Sequence, residues 1–404
     1  MAYNGMVRKT VVFTNDDLEK VKLVDVNIQD FVIEVALCPR LFEGDKVIFY
    51  FMHQTLQEMF AAVYICMAMP ESQFNEIIHQ VIHESHWSMV RHFICGFLLG
   101  DDHKDGEEKG RTTNQVIDWG LSSMFTRILQ RRHTDKRETF HNMFVKFVTT
   151  SMSDYQLIDV LTDVQECSDD NKDTIAKIFP VWFNFGRTPI TCSTAHALGQ
   201  ILPRLNRPVE RLNLYKCNLN LDSLNLICKG IMKLTNKIKF LDLSYNKFEV
   251  DEVRTISGCL NKVRRLELVH CNIFRDGVEI LCQKMKPMEL LNLSDNKFGD
   301  DGVIIISGCL HQVRWLELLR CDISATGLEV LCEKIKHLEI PMDILNLSFN
   351  EFNNHEVKII SGCLNKVRML KLFHCKISED GKQILGKELE RLELPLSTIW
   401  GLGW

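Results

Sequence analysis

The sequence predicts an α/β horseshoe, a solenoid with a parallel sheet inside and helices outside, preceded by an α-helical domain. Three observations carry this. Seven L-x-L-x-x-[N/C] segments recur through the second half of the 404-residue chain. Stretches with apolar residues at helical spacing lie between them. Four amphipathic stripes occupy much of residues 55–190.

The seven segments begin at Leu212, Leu241, Leu266, Leu291, Leu316, Leu345 and Leu370. They close on Cys217, Asn246, Cys271, Asn296, Cys321, Asn350 and Cys375, and the steps are 29, 25, 25, 25, 29 and 25 residues. In each L-x-L the leucines point into the core and the middle residue points out. One such strand cannot bury its leucines alone, whereas stacked neighbours form a parallel sheet over a continuous core. The closing Asn or Cys turns inward, where its side chain can satisfy backbone groups of the loop. Cysteine and asparagine alternate, so the unit is a pair of repeats. Between strands, Asp276–Cys282 and Thr326–Cys332 match each other as helices. Ten of the fifteen cysteines occupy repeat positions, and no C-x-x-C pair occurs. Reduced, buried thiols packed between strand and helix explain them better than metal or redox roles. Leu392-Glu393-Leu394-Pro395 reads as a degenerate last strand at the sheet edge, since Pro395 lacks a backbone donor. The pattern is that of the leucine-rich repeats, and its alternation resembles the ribonuclease-inhibitor-like class.

Residues 11–50 read as mixed short helices and strands, with a helix start at Thr14–Leu18 and a strand at Val47–Phe51. A helix follows from Met52 towards Ala62. The four stripes are Phe74/Ile77/Ile78/Val81/Ile82, Val90/Phe93/Ile94/Phe97/Leu98, Phe140/Met143/Phe144/Phe147/Val148 and Ile175/Ile178/Phe179/Trp182/Phe183. Together they predict a helical bundle. Polar runs at 101–110 and 168–173 predict solvated loops.

Phe51, His53, Gln57, Glu58, Phe60, Ala61 and Ala62 carry a further resemblance. A strand ending F-x-H, followed by Q-E-x-x-A-A in a helix, is similar to the junction between the winged-helix and second helical domains of NACHT-type nucleotide-binding leucine-rich-repeat receptors (NLRs). The resemblance spans nearly the whole chain. It implies a partial winged-helix domain at residues 1–54, a helical domain at 55–190 and a leucine-rich-repeat domain at 191–404. It also implies innate immune surveillance and signal transduction, with the repeats folding back to inhibit an upstream NACHT domain until a ligand engages them. His53 matches the family's histidine that contacts the phosphate of bound ADP. No G-x-x-x-x-G-K-[ST] occurs in this chain. The expectation is therefore no cofactor here, with ADP or ATP and a role for His53 in holding it only where a NACHT domain is supplied. Otherwise His53 caps a turn.

The formal net charge of −5 argues against a general nucleic-acid surface. No apolar run reaches the roughly 18 residues that span a bilayer. The start, Met1–Gly5, lacks the charged-then-apolar form of a signal peptide. Together these predict a cytoplasmic protein without membrane contact. Enzyme signatures are missing. His79 and His83 are four apart, but Gln80 stands where the zinc-protease motif needs Glu, and no G-x-S-x-G occurs. A non-catalytic binding role is expected, with a protein or peptide ligand on the concave sheet face. The candidate contact residues are Arg264, Arg265, Glu267, His270, Arg314, Trp315, Glu317, Arg320, Arg368, Lys371 and His374. Arg and Trp among them are frequent hot-spot residues. The alternatives are a ribonuclease-inhibitor-like horseshoe that blocks an enzyme and a leucine-rich-repeat GTPase-activating protein. Neither accounts for residues 49–62.

Overall fold

The computed structural model describes residues 1–14, 37–43, 46–51, 53–100, 134–149 and 154–402. The loop expected at 101–110 and residues 15–18 of the expected helix start lie outside them. The chain divides into two compact units, Met1–Phe179 and Pro180–Trp404.

The first unit opens with helix α1 (Ala2–Arg8) and strands β1 (Val12–Thr14), β2 (Leu37–Glu43) and β3 (Lys46–Phe51). They form an antiparallel sheet of order β1-β3-β2, so the strand expected at Val47–Phe51 is its centre. Helices α2 (Gln54–Met67), α3 (Glu71–His83), α4 (Ser88–Leu99), α5 (Thr134–Thr149), α6 (Asp154–Gln165) and α7 (Asp169–Ala176) follow. The first three apolar stripes lie on α3, α4 and α5 and are buried, except that Phe93 and Met143 are half-covered.

Two expectations fail at the end of this unit. Residues 168–173 are a helix start rather than a loop: the Ser168 hydroxyl accepts from Asn171 N at 3.4 Å, and Asp169 and Asp170 occupy the first turn of α7. An N-cap with acids behind it is polar by design, because it serves the exposed N–H groups and positive end of the helix. The fourth stripe is not one helix. α7 stops at Ala176, and Pro180 has no N–H to extend it. Ile175 and Phe179 are buried, whereas Trp182 is 63% exposed.

The second unit is a nine-stranded parallel sheet in strict chain order. Its strands are β4 (Trp182–Asn184), β5 (Arg211–Asn213), β6 (Ile238–Asp242), β7 (Val263–Glu267), β8 (Met288–Asn292), β9 (Val313–Glu317), β10 (Met342–Asn346), β11 (Val367–Lys371) and β12 (Ile399–Trp400). The connecting helices are α8 (Cys192–Ile201), α9 (Leu221–Met232), α10 (Val250–Gly258), α11 (Arg275–Lys284), α12 (Gly299–Ser307), α13 (Ala325–Lys336), α14 (Asn354–Ser361) and α15 (Glu379–Arg391). The seven first leucines pair directly in register from Leu212 to Leu370. Both leucines of every L-x-L are buried.

The alternation of Asn and Cys has a physical reason. Each asparagine serves its own turn and the preceding cysteine-type repeat. Asn246 Oδ1 accepts from Cys217 N and Leu219 N, while its Nδ2 donates to the carbonyls of Leu214, Leu243 and Ser244. The cysteine makes only weak sulfur contacts: Cys271 Sγ lies 3.3 Å from Leu243 O and 3.5 Å from Val269 O. Nine of the ten repeat cysteines are buried, and Cys282 is half-covered.

The sheet ends differ from expectation. β4 adds a strand ahead of Leu212, with Phe183 paired to it, within the compact unit that begins at Pro180. Leu392-Glu393-Leu394-Pro395 is not a strand: Leu392 caps α15, and Glu393 takes a left-handed φ of 54°. The last strand is Ile399–Trp400, paired to Leu370 and Lys371. The second leucine position there is Gly401, at φ 96°, where an added Cβ would lie 2.6 Å from Phe373 N.

Candidate functional site: the outward face of the repeat sheet

Middle residues of the L-x-L units stack into one row across the sheet. Asp242, Glu267, Asn292, Glu317, Asn346 and Lys371 are successive neighbours. Hydrogen bonds join the row in two groups, Asn292 with Glu267, and Asn346 and Lys371 with Glu317. Asn292 Nδ2 donates to Glu267 Oε2 at 2.5 Å, and Asn346 Nδ2 to Glu317 Oε2 at 2.5 Å. Trp315 Nε1 donates to Glu317 Oε1 at 2.6 Å, and Lys371 Nζ sits 3.4 Å from that oxygen. Lys371 also lies 5.1 Å from the centre of the Trp315 ring. Glu317, expected as a contact residue, is thus only 8% exposed and holds Trp315 in place. Trp315 itself is half-covered, between Leu290 and Ile344 in register.

The arginines stay exposed, but each has an acid that sequence reasoning missed. Arg265 Nε meets Glu289 at 2.8 Å, and Arg264 approaches the same carboxylate at 3.8 Å. Arg314 and Arg368 share Asp343, at 3.0 and 3.5 Å. From Arg264 onward the residues two before the first leucine alternate in sign: Arg264, Glu289, Arg314, Asp343 and Arg368. That alternation was the available signal. Such exposed pairs contribute about 0–1 kcal/mol each, so they leave the face open to a competing ligand.

Past the strands, the residue before the closing Asn or Cys turns left-handed in every repeat, and in the cysteine-type repeats the residue after it does so too. Tyr245, His270, Asp295, Arg320, Phe349 and His374 have φ between 49° and 59°. The conformation projects them along the rim. His270 stacks on Tyr245 at 5.0 Å, Phe349 lies 4.7 Å from His374, and Arg320 covers Phe349 at 4.4 Å while reaching Asp295 at 3.2 Å. His270, Asp295, Arg320, Asp322, Phe349 and Glu351 line a cleft of ≈ 500 Å³. His270, Arg320 and His374 therefore form the rim, and the other candidates form the face.

Glu267 is the perturbed group. Burial pushes its carboxyl up to about 7, Asn292 opposes that, and Asp242 and Glu317 add to it. The unfolded chain keeps the ordinary value of 4.5. The folded state therefore binds more protons between 4.5 and about 7, and its stability falls as pH rises through that window, staying low above it. Glu267→Gln should stabilise the protein at pH 8 by about 1 kcal/mol or more and do little at pH 4.5. Urea titrations at the two pH values check this; a stabilisation equal at both would rule out titration of Glu267 as its cause.

His53 is the N-cap of α2. Its Nδ1 accepts from Thr55 N at 3.2 Å, and the side chain is exposed. Among the described residues no group of three or more His, Cys, Asp and Glu side chains could hold a metal ion. No described helix is long and apolar enough to cross a membrane.

Comparison with known proteins matches residues 284–307, spanning β8 and α12, to the family model described as Leucine Rich repeat. No curated protein matches the chain. The chain thus contains a leucine-rich repeat region, set within a parallel sheet with helices.

Proposed function

We propose that this chain is a non-catalytic recognition module whose repeat sheet binds a protein or peptide, and that it serves as the sensing and autoinhibitory part of an NLR-like receptor. One observation supports the binding role above others. The outward face holds a pre-organised set of Trp315, Arg265, Arg314 and Arg368, with the tryptophan fixed by Glu317 and the arginines only loosely paired. Rigid aromatic anchors beside exchangeable arginines bind with little ordering cost. Arg265 and Trp315 are two strands apart, about 10 Å, within reach of one cluster on a ligand. The receptor reading rests on the F-x-H strand end, the helix capped by His53 and the position of both ahead of the repeats. In that setting the chain would act in the cytoplasm, and ADP or ATP would bind in the NACHT domain rather than here.

Replacing Trp315 and Arg320 by alanine should weaken binding to cellular proteins captured by the wild type by about tenfold or more. Glu329→Ala with Lys358→Ala, on the helices α13 and α14, should leave capture unchanged. Equal capture by the first double variant would refute the binding face. The variant should also lose about 1–3 kcal/mol of stability, because half-buried Trp315 leaves a void and Glu317 loses a donor. Trp315→Phe with Arg320→Ala keeps the ring and separates the two effects.

A further inference from the structure

The repeat cysteines meet in pairs on the helical side of the sheet. In each double repeat, one cysteine lies on the helix after a cysteine-type strand, and its mate follows the next helix. The sulfurs of Cys228 and Cys259 are 3.7 Å apart, those of Cys332 and Cys363 3.3 Å, and those of Cys282 and Cys309 2.8 Å. The three pairs differ in access. Cys228, Cys259, Cys332 and Cys363 are at most 4% exposed. Cys282 is half-covered, and Cys309 is 7% exposed. A disulfide requires about 2.05 Å between sulfurs, so this pair needs to approach by less than about 1 Å.

We infer that Cys282 and Cys309 form a hydroperoxide-reactive dithiol, a modification site that closes to a disulfide linking α11 to the segment just after α12. The roles follow from the contact. Cys309 Sγ lies 3.2 Å from Ile306 O, which takes its thiol proton, so of the two sulfurs 2.8 Å apart Cys282 is the donor, and that bond holds Cys309 below the usual thiol value against burial. Donating that bond, together with burial, pushes Cys282 up. Cys309 is therefore the attacking sulfur and Cys282 the resolving one. The Cys309 thiolate attacks one oxygen of the hydroperoxide. The O–O bond breaks, the departing oxygen takes a proton, and Cys309 becomes a sulfenic acid. The Cys282 sulfur then attacks Cys309, the S–O bond breaks, and the oxygen leaves as water with the Cys282 proton. Two thiols and one hydroperoxide thus give one disulfide, one alcohol (or water) and one water. The bond would staple the connecting segments flanking β8, the strand that carries Glu289.

The test uses the full reduced chain and graded hydrogen peroxide. Remaining thiols are alkylated, and peptides are mapped without reduction. The Cys282–Cys309 cross-link should form about ten times faster than Cys228–Cys259 or Cys332–Cys363, and dithiothreitol should reverse it. Cys282→Ser should abolish the cross-link and leave a Cys309 sulfenic acid that dimedone traps. The inference is overturned if peroxide oxidises exposed Cys192 while Cys282 and Cys309 remain thiols. It is equally overturned if all three pairs link at one rate, if Cys309 proceeds to sulfinic acid without a cross-link, or if dimedone leaves Cys309 unlabelled in Cys282→Ser.

Discussion

Asn296→Ala should destabilise the protein by about 3–5 kcal/mol, a large effect for a single polar replacement. Asn296 is 1% exposed. Its Oδ1 accepts from Cys271 N and Ile273 N, both at 3.0 Å, and its Nδ2 donates to Leu268 O at 2.7 Å, Leu293 O at 2.9 Å and Ser294 O at 3.2 Å. Alanine leaves five backbone groups without this partner. A buried group without a partner costs about 1–3 kcal/mol, and some of the five recover by relaxation or by admitting water, which gives the stated range. Two repeats are affected together, because Asn296 spans the turn of its own repeat and that of the cysteine-type repeat before it. Urea unfolding should show the loss, and hydrogen exchange should rise at Cys271 and Ile273. A loss below about 1 kcal/mol would show that the closing residue is not what holds the turn.

Arg91→Ala should cost about 3–5 kcal/mol in the first unit. Arg91 and Asp163 are 3% and 1% exposed, and Arg91 Nε meets Asp163 Oδ2 at 2.5 Å. Arg91 also donates to Ile82 O at 3.1 Å and lies 3.7 Å from Asp159. Removing the guanidinium leaves the Asp163 carboxylate buried, with His92 at 3.7 Å as its remaining cationic neighbour. Burial alone would lower His92, but Asp163 and Glu166 outweigh it and hold the ring above its ordinary 6.5. A raised histidine stabilises fully below the unfolded value and loses that contribution as pH rises through the folded one. The deficit in Arg91→Ala should therefore be smaller at pH 5.5 than at pH 8.5. Replacing both residues, as Arg91→Met with Asp163→Leu, should recover much of the loss, since two apolar side chains leave no charge unpaired. Hydrogen exchange over α4 and α6 localises the effect. An Arg91→Ala protein as stable as wild type at pH 8.5 would refute the pair as the support of this unit.

The repeat register was legible because period and burial coincide. A leucine that falls every 25 or 29 residues, with its partner two residues on, can be buried only by stacking in chain order. The same period extends to Phe183, 29 residues before Leu212, which its apolar neighbours had placed on a helix instead. It failed at Leu392-Glu393-Leu394, where the right letters lie at the wrong distance from Leu370 and the strand is made by Ile399 instead. Helices were legible where the apolar repeat runs without a breaker, as in α3, and not at Ile175–Phe183, where the same spacing crosses Pro180 from the end of α7 into β4.

The sequence by itself determined the parallel strand order from Leu212 to Leu370, the inward closing residues and which residue of each L-x-L faces out. Backbone period dictates these, and the period is written in the chain. Only the tertiary structure decided what the outward residues do. Glu317 turned out buried beneath Trp315 and Lys371, Arg265 met Glu289, and Arg314 and Arg368 met Asp343. It also decided that Cys282 touches Cys309 while half-covered. Apart from Trp315 and Glu317 on one strand, these outcomes depend on side-chain reach between residues 24 to 54 apart, across strands and helices about 5 to 10 Å from one another. Periodicity places the Cα atoms of such neighbours, but rotamer, charge and local packing choose which of them meet.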